Sequence, residues 1–241
     1  MPFYLLRPFA WVVLKIAFWY YGGIRFEGRE NVPRKGGVLI TPNHVSNADP
    51  PVIGFAVPRA SYFMANLDLF KRPVLGVLIR WFRGFPVRTG TPDRQALRRG
   101  EELLKRGEAL VIFPEGTHSL DGKLQRMQPG ALLLAQRASV PIVPTIIVGS
   151  TNMIPYGEMK PRRIAHPIVV RFGKSVALAE LTGGRKGGEG LRVGAARLGE
   201  FMLALQEGRP YPTAAQVPTP NRIPTGPLPD AGTATSRKDG G

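Results

Sequence analysis

Gly37-Val38-Leu39-Ile40-Thr41-Pro42-Asn43-His44-Val45-Ser46-Asn47-Ala48-Asp49-Pro50 joins an apolar β-rich run to a polar turn and then to an Asp-Pro helix start. Strand, polar turn and helix in that order form the repeating unit of α/β layered domains, whose ligands bind at the carboxyl ends of strands. Working outward, residues 61–65, 85–88, 109–114, 142–148 and 168–172 read as further short strands bounded by Pro or Gly. Helices are expected over residues 92–106, 131–138 and 191–206. The first would be capped by Thr91, with Pro92 at its first position and Gly107 past its end. The alternation predicts an α/β fold with a mostly parallel or mixed central sheet flanked by helices.

The polar turn carries the chemistry. Histidine titrates near neutral pH, so His44 can take a proton from a hydroxyl and return it. Asp49, by accepting the Nδ1 proton, would leave Nε2 as the base and stabilise the imidazolium. Residues five apart on a regular helix diverge by roughly 140°, so His44 must precede the helix if the two side chains are to meet. Asp49 is expected to cap that helix, with the prolines in its first turn. A plainer alternative, a helix cap beside an ordinary loop histidine, stays open on these residues alone.

Three further blocks follow in order. Gly84-Phe85-Pro86-Val87-Arg88 is a short strand ending in a guanidinium suited to a phosphate. Phe113-Pro114-Glu115-Gly116-Thr117-His118-Ser119 is a polar, glycine-containing turn after an apolar run, and Val140-Pro141-Ile142-Val143-Pro144-Thr145 leads into Ile146-Ile147-Val148. Across roughly residues 37–150 the chain resembles the glycerolipid acyltransferases typified by 1-acyl-glycerol-3-phosphate acyltransferase. That family carries Asn-His-x-x-x-x-Asp, a Gly-centred block ending in Arg, Phe-Pro-Glu-Gly-Thr-Arg-Ser and Val-Pro-Ile-Val-Pro. The resemblance implies that His44 is the general base and Asp49 its partner. Arg88, Glu115, Gly116 and Thr117 would hold the phosphate end of the acceptor, with His118 in the same substrate-binding block. The chain departs from the family where His118 replaces the usual arginine, which removes a permanent charge from the expected phosphate pocket. A second departure is Met127-Gln128-Pro129-Gly130-Ala131, where relatives often carry lysines; Arg126 is a partial substitute.

Acyl transfer to an alcohol needs a base, stabilisation of the carbonyl oxyanion and a good leaving group. With 0 Cys there is no acyl-cysteine intermediate, and no Gly-x-Ser-x-Gly elbow makes a serine nucleophile, although Ser46 lies near His44. Direct attack on a thioester, acyl-CoA or acyl-carrier protein, is therefore expected, with no cofactor. Backbone amides near Gly116 or in Ile142-Val143 are candidate oxyanion donors. Only 3 His, at positions 44, 118 and 166, without ligand spacing, argue against a zinc site. His166 reads as a strand-edge residue, and His118 as either pocket lining or an exposed turn.

Lys+Arg number 33 against 17 Asp+Glu, a formal net charge of +16 that calls for an anionic partner. Residues 1–24 favour a membrane: Phe3, Tyr4, Phe9, Trp11, Phe18, Trp19, Tyr20 and Tyr21 are aromatics for a headgroup boundary. Arg7, Pro8 and Lys15 interrupt the span, so the segment is expected to lie in the interface rather than cross it; a core helix is the alternative. Residues 67–82 form a second apolar, cation-rimmed helix that would either pack or line an acyl groove. Residues 25–207 would be the acyltransferase domain. Residues 182–190 are expected to be a flexible loop, and residues 208–241 an unstructured Pro/Gly-rich tail. The expected partners are a membrane lipid surface at the cytoplasmic face of a bacterial-type membrane, lysophosphatidic acid and the thioester carrier. Glycerol-3-phosphate, another lysophospholipid or a lyso-aminolipid are alternative acceptors. Nucleic acid is not expected, since no helix-turn-helix, RNA-recognition or zinc pattern is visible; a non-enzymatic basic binding protein is the rival class.

Overall fold

The computed structural model describes residues 7–88, 93–119, 121–155, 157–158 and 160–210. Thr91 and Pro92, residues 1–6 and the tail beyond 210 lie outside the described residues. Seven strands form one sheet: β1 (Ile24–Glu27), β2 (Val38–Pro42), β3 (Ser61–Asn66), β4 (Gly84–Val87), β5 (Ala109–Val111), β6 (Ile142–Val148) and β7 (Ile168–Phe172). Their order is β1-β7-β6-β2-β5-β3-β4. From β6 to β4 every pairing is parallel; β7 runs antiparallel to β6 and takes β1 parallel beside it. The expected α/β fold is present, with a mixed sheet flanked by helices.

β2 is buried at all five positions, as a strand at the middle of a covered sheet should be. Its side chains alternate between two cores. Leu39, with Leu110, Ile142 and Ile146, packs under α4 (Arg94–Lys105), α5 (Pro129–Ala138) and α8 (Gly187–Glu207). Val38 and Ile40, with Val111, Val143 and Ile147, pack on the other face under α1 (Arg7–Tyr21) and α2 (Asp49–Ala56). The amphipathic α4 buries Ala96, Gly100, Leu103 and Leu104, one stripe at helical spacing. The remaining helices are α3 (Pro73–Trp81), α6 (Ser150–Met153) and α7 (Leu178–Thr182).

Three local expectations change. Asp93 caps α4, its carboxylate accepting from Gln95 and Ala96 N–H at 3.1 and 3.0 Å. The apolar run over 67–82 divides into a 3-10 turn, Leu67–Lys71, and α3, because Pro73 holds Arg72 extended at ψ 120°. The loop expected over residues 182–190 is confined to 183–186: α7 reaches Thr182 and α8 starts at Gly187. Gly194 of α8 serves close packing, for a Cβ there would lie 2.5 Å from the Leu132 side chain.

The strand connections place the site. β2 leads into α2 on one face, while the neighbouring β5 leads towards α5 on the other. The adjacent loops thus diverge to opposite faces at the carboxyl ends of β2 and β5, the kind of switch point at which α/β sheets bind ligands.

Candidate active site

Both loops at this switch point are tied to each other through His44. Its backbone N–H donates to Glu115 Oε1 at 2.7 Å, and its carbonyl accepts from Ser119 N–H at 2.8 Å. The preceding Asn43 pins the loop to the other neighbour, β6: its Nδ2 donates to Ile147 O at 3.1 Å, and its Oδ1 accepts from Ile147 N–H at 2.7 Å. One residue position is thereby fixed from both sides of β2.

The side chains of His44 and Asp49 meet, with Nδ1 3.1 Å from Oδ2. Asp49 does not cap α2 as expected; Ala48 occupies the cap position, and Asp49 is the first helical residue. Its carboxylate turns back onto the preceding turn, where Oδ2 accepts from Val45 and Ser46 N–H, both at 2.7 Å. Those two bonds, and burial at 0% exposure, leave the carboxylate one orientation from which to receive the ring. A carboxylate there selects the Nδ1–H tautomer and leaves Nε2 with a free lone pair. Ser46 is otherwise engaged: its hydroxyl donates to Ile154 O at 2.7 Å and accepts from Ala48 N–H at 3.0 Å.

Glu115, expected at a phosphate, is buried at 1% exposure and faces inward. Oε1 holds His44 N–H, while Oε2 accepts from Gln125 N–H at 2.9 Å, so both oxygens are spent on backbone. Burial pushes its carboxyl up to about 7, against the pull of those two N–H groups. Gly116 makes the turn with φ 77°, a left-handed conformation that suits glycine. Its N–H is taken by Phe113 O at 3.1 Å, and Ile142 N–H by Val176 O, which removes both from the candidate oxyanion donors. Thr117 is exposed on the turn.

His118 lies on the His44 ring rather than out in solvent. Its ring centroid is 3.6 Å from that of His44, whose other neighbour, Phe113, stacks at 4.0 Å. Burial first, and then the His44 ring beside it, lower the His118 pKa to about 4. Arg88 is not brought to this cluster: it follows β4, the edge strand, and β5 and β3 intervene. Three strand spacings of about 4.8 Å put it roughly 14 Å from β2 along the sheet. His166 is exposed ahead of β7. Sequence reasoning missed the roles of Asn43, Phe113, Ser119 and Gln125. For Asn43 its place beside His44 was a signal; Gln125 acts through its backbone, which leaves none.

A family model described as Acyltransferase matches residues 23–148. The 1-acyl-sn-glycerol-3-phosphate acyltransferase of Bacillus subtilis is 31% identical over 152 residues, covering 61% of this chain and 75% of that protein. A chloroplastic 1-acyl-sn-glycerol-3-phosphate acyltransferase of Arabidopsis thaliana is 30% identical over 169 residues, 65% of this chain; the chain spans about half of that relative, 47%. Among solved structures, the 1-acyl-sn-glycerophosphate (LPA) acyltransferase PlsC from Thermotoga maritima superposes with a TM-score of 0.59 at 30% identity. That match covers 76% of this chain and 72% of that one.

Proposed function

The chain belongs to the acyltransferase family, and on that premise we propose that it transfers a fatty acyl group from a thioester to the free hydroxyl of 1-acyl-glycerol-3-phosphate, making phosphatidic acid. The names of the Bacillus and Arabidopsis relatives support this acceptor. In the reaction, His44 Nε2 takes the hydroxyl proton as the oxygen attacks the thioester carbonyl. Asp49 stabilises the imidazolium through Nδ1–H. The tetrahedral intermediate collapses, the C–S bond breaks, and the proton passes from Nε2 to the departing thiolate, so that the enzyme returns unchanged. The co-substrate is acyl-CoA or acyl-carrier protein, and the scheme requires no cofactor or metal. The observation that carries this reading is the 3.1 Å pairing of His44 Nδ1 with a carboxylate that two backbone N–H groups hold in place.

The reaction is set at a lipid surface. On α1, Val12, Val13, Ile16, Trp19 and Tyr20 are exposed, a stripe at helical spacing that nothing among the described residues covers. No described helix is long and apolar enough to cross a membrane, and the +16 charge favours an anionic surface, so α1 lies in the interface. An acceptor without a phosphate monoester is the second reading, favoured by the neutral His118 at the site. Turnover by the purified protein of a lysolipid panel, with acyl-CoA and acyl-carrier protein in turn, tests both. Lysophosphatidic acid should be the preferred acceptor and His44→Ala inactive; full activity in His44→Ala would refute the assigned base.

A further inference from the structure

A single in-plane contact, Nδ1 to Asp49, does not by itself fix an imidazole, because the ring can still rock about that line. At His44 both faces of the ring are also occupied. Phe113 stacks on one at 4.0 Å with 21° between planes, and His118 closes on the other at 3.6 Å with 36° between planes. We propose that His118 is a positioning residue for the transfer step: its ring completes a Phe113–His44–His118 stack that holds the base at the angle Asp49 requires, and it makes no contact with the acceptor's phosphate.

The strap that carries His118 is suited to this. Its next residue, Ser119, donates its N–H to the His44 carbonyl, so ring and backbone arrive from one turn. His118 is half-buried while Thr117 before it is exposed, which turns the imidazole inward and the hydroxyl outward. Burial and the adjacent His44 ring keep His118 neutral at physiological pH. When His44 takes the substrate proton, the face beside it therefore carries no opposing charge, and a neutral aromatic face favours a cation. A ring displaced by about 1 Å costs on the order of 10²-fold in rate.

This inference rests on His44 being the base, and four variants separate the two claims. His118→Ala should lower kcat at least about tenfold and leave the acceptor KM within about twofold. His118→Phe, a flat ring in the same place, should recover most of kcat. His118→Leu, apolar but not flat, should remain as impaired as Ala and serves in its place should Ala fail to fold. A rise in acceptor KM at unchanged kcat, or a Phe variant no better than Leu, would overturn the positioning role. His44→Ala with full turnover would instead remove the reading on which it rests.

Discussion

Replacing Asp49 by Asn changes the charge and little else. Asn retains the volume and one carbonyl oxygen, which can keep accepting from Val45 and Ser46 N–H, where Oδ2 now sits at 2.7 Å from both. The turn should therefore survive, whereas Asp49→Ala would strand two buried donors at about 1–3 kcal/mol each. What Asn removes is the unit negative charge 3.1 Å from Nδ1, where the imidazolium forms. At an effective dielectric of about 20, the attraction lost is roughly 5 kcal/mol, equivalent to a fall of about 10³- to 10⁴-fold in kcat. Because the stabilisation acts only once the proton has moved, acceptor and donor KM should change little. Initial rates at saturating lysolipid and thioester, with a thermal melt to check folding, measure this. An Asp49→Asn enzyme within threefold of the parent, alongside an inactive His44→Ala, would refute the argument that the carboxylate stabilises a charged base.

The other predictions concern the frame of the site and its surface. Asn43→Ala deletes both bonds to Ile147 and leaves that residue's buried N–H and C=O unpaired, so denaturant unfolding should show a loss of about 2–4 kcal/mol; a loss below about 0.5 kcal/mol would contradict the pinning of the loop. Glu115, raised from 4.5 to about 7, holds a proton in the folded protein that the unfolded chain has released between those values. Its contribution is complete below about pH 4.5 and is lost as pH rises to about 7, with a ceiling of about 3 kcal/mol. Glu115→Gln should therefore flatten the stability profile in that window, and an unchanged slope would argue against the shifted carboxyl. Ile16→Asp with Trp19→Asp, at positions 58% and 79% exposed, should leave melting unchanged. The pair should weaken pelleting with anionic vesicles by about 100-fold, and undiminished pelleting would remove α1 as the contact.

Strands with strong apolar runs were legible because burial on both faces leaves a continuous signal. β2 and β6 fall where Val38-Leu39-Ile40 and Ile142-Val143 place them. β1 was missed, since Ile24-Arg25-Phe26-Glu27 is a four-residue edge strand whose partner, β7, is some 140 residues away. The start of α8 was hidden by Gly187-Gly188-Glu189-Gly190, which local propensity assigns to a loop and which the packing of Leu191, Val193 and Leu198 makes helical. In the site, the spacing of His44 and Asp49 was readable, but the direction of the Asp49 carboxylate was not, as it depends on a turn closing over three residues. Glu115 looked like a ligand group because sequence shows a charge and not its burial. The stacked rings could not be foreseen, because they come from turns that β2 and β5 bring together only in the sheet.

The outward stripe of α1 and the carboxylate of Asp49 are linked through one packed path. Phe18, on the inner side of α1, packs its ring 5.5 Å from that of Phe55, near the end of the helix that Asp49 begins. Six residues of helix, about 9 Å, separate the two. The elevation of the His44 ring above any layer on which α1 rests is thus set by a ring contact and two turns of backbone. A lipid acceptor held in that layer would find the imidazole at one constant height, and enzyme and substrate would share a common plane of reference without either leaving the surface.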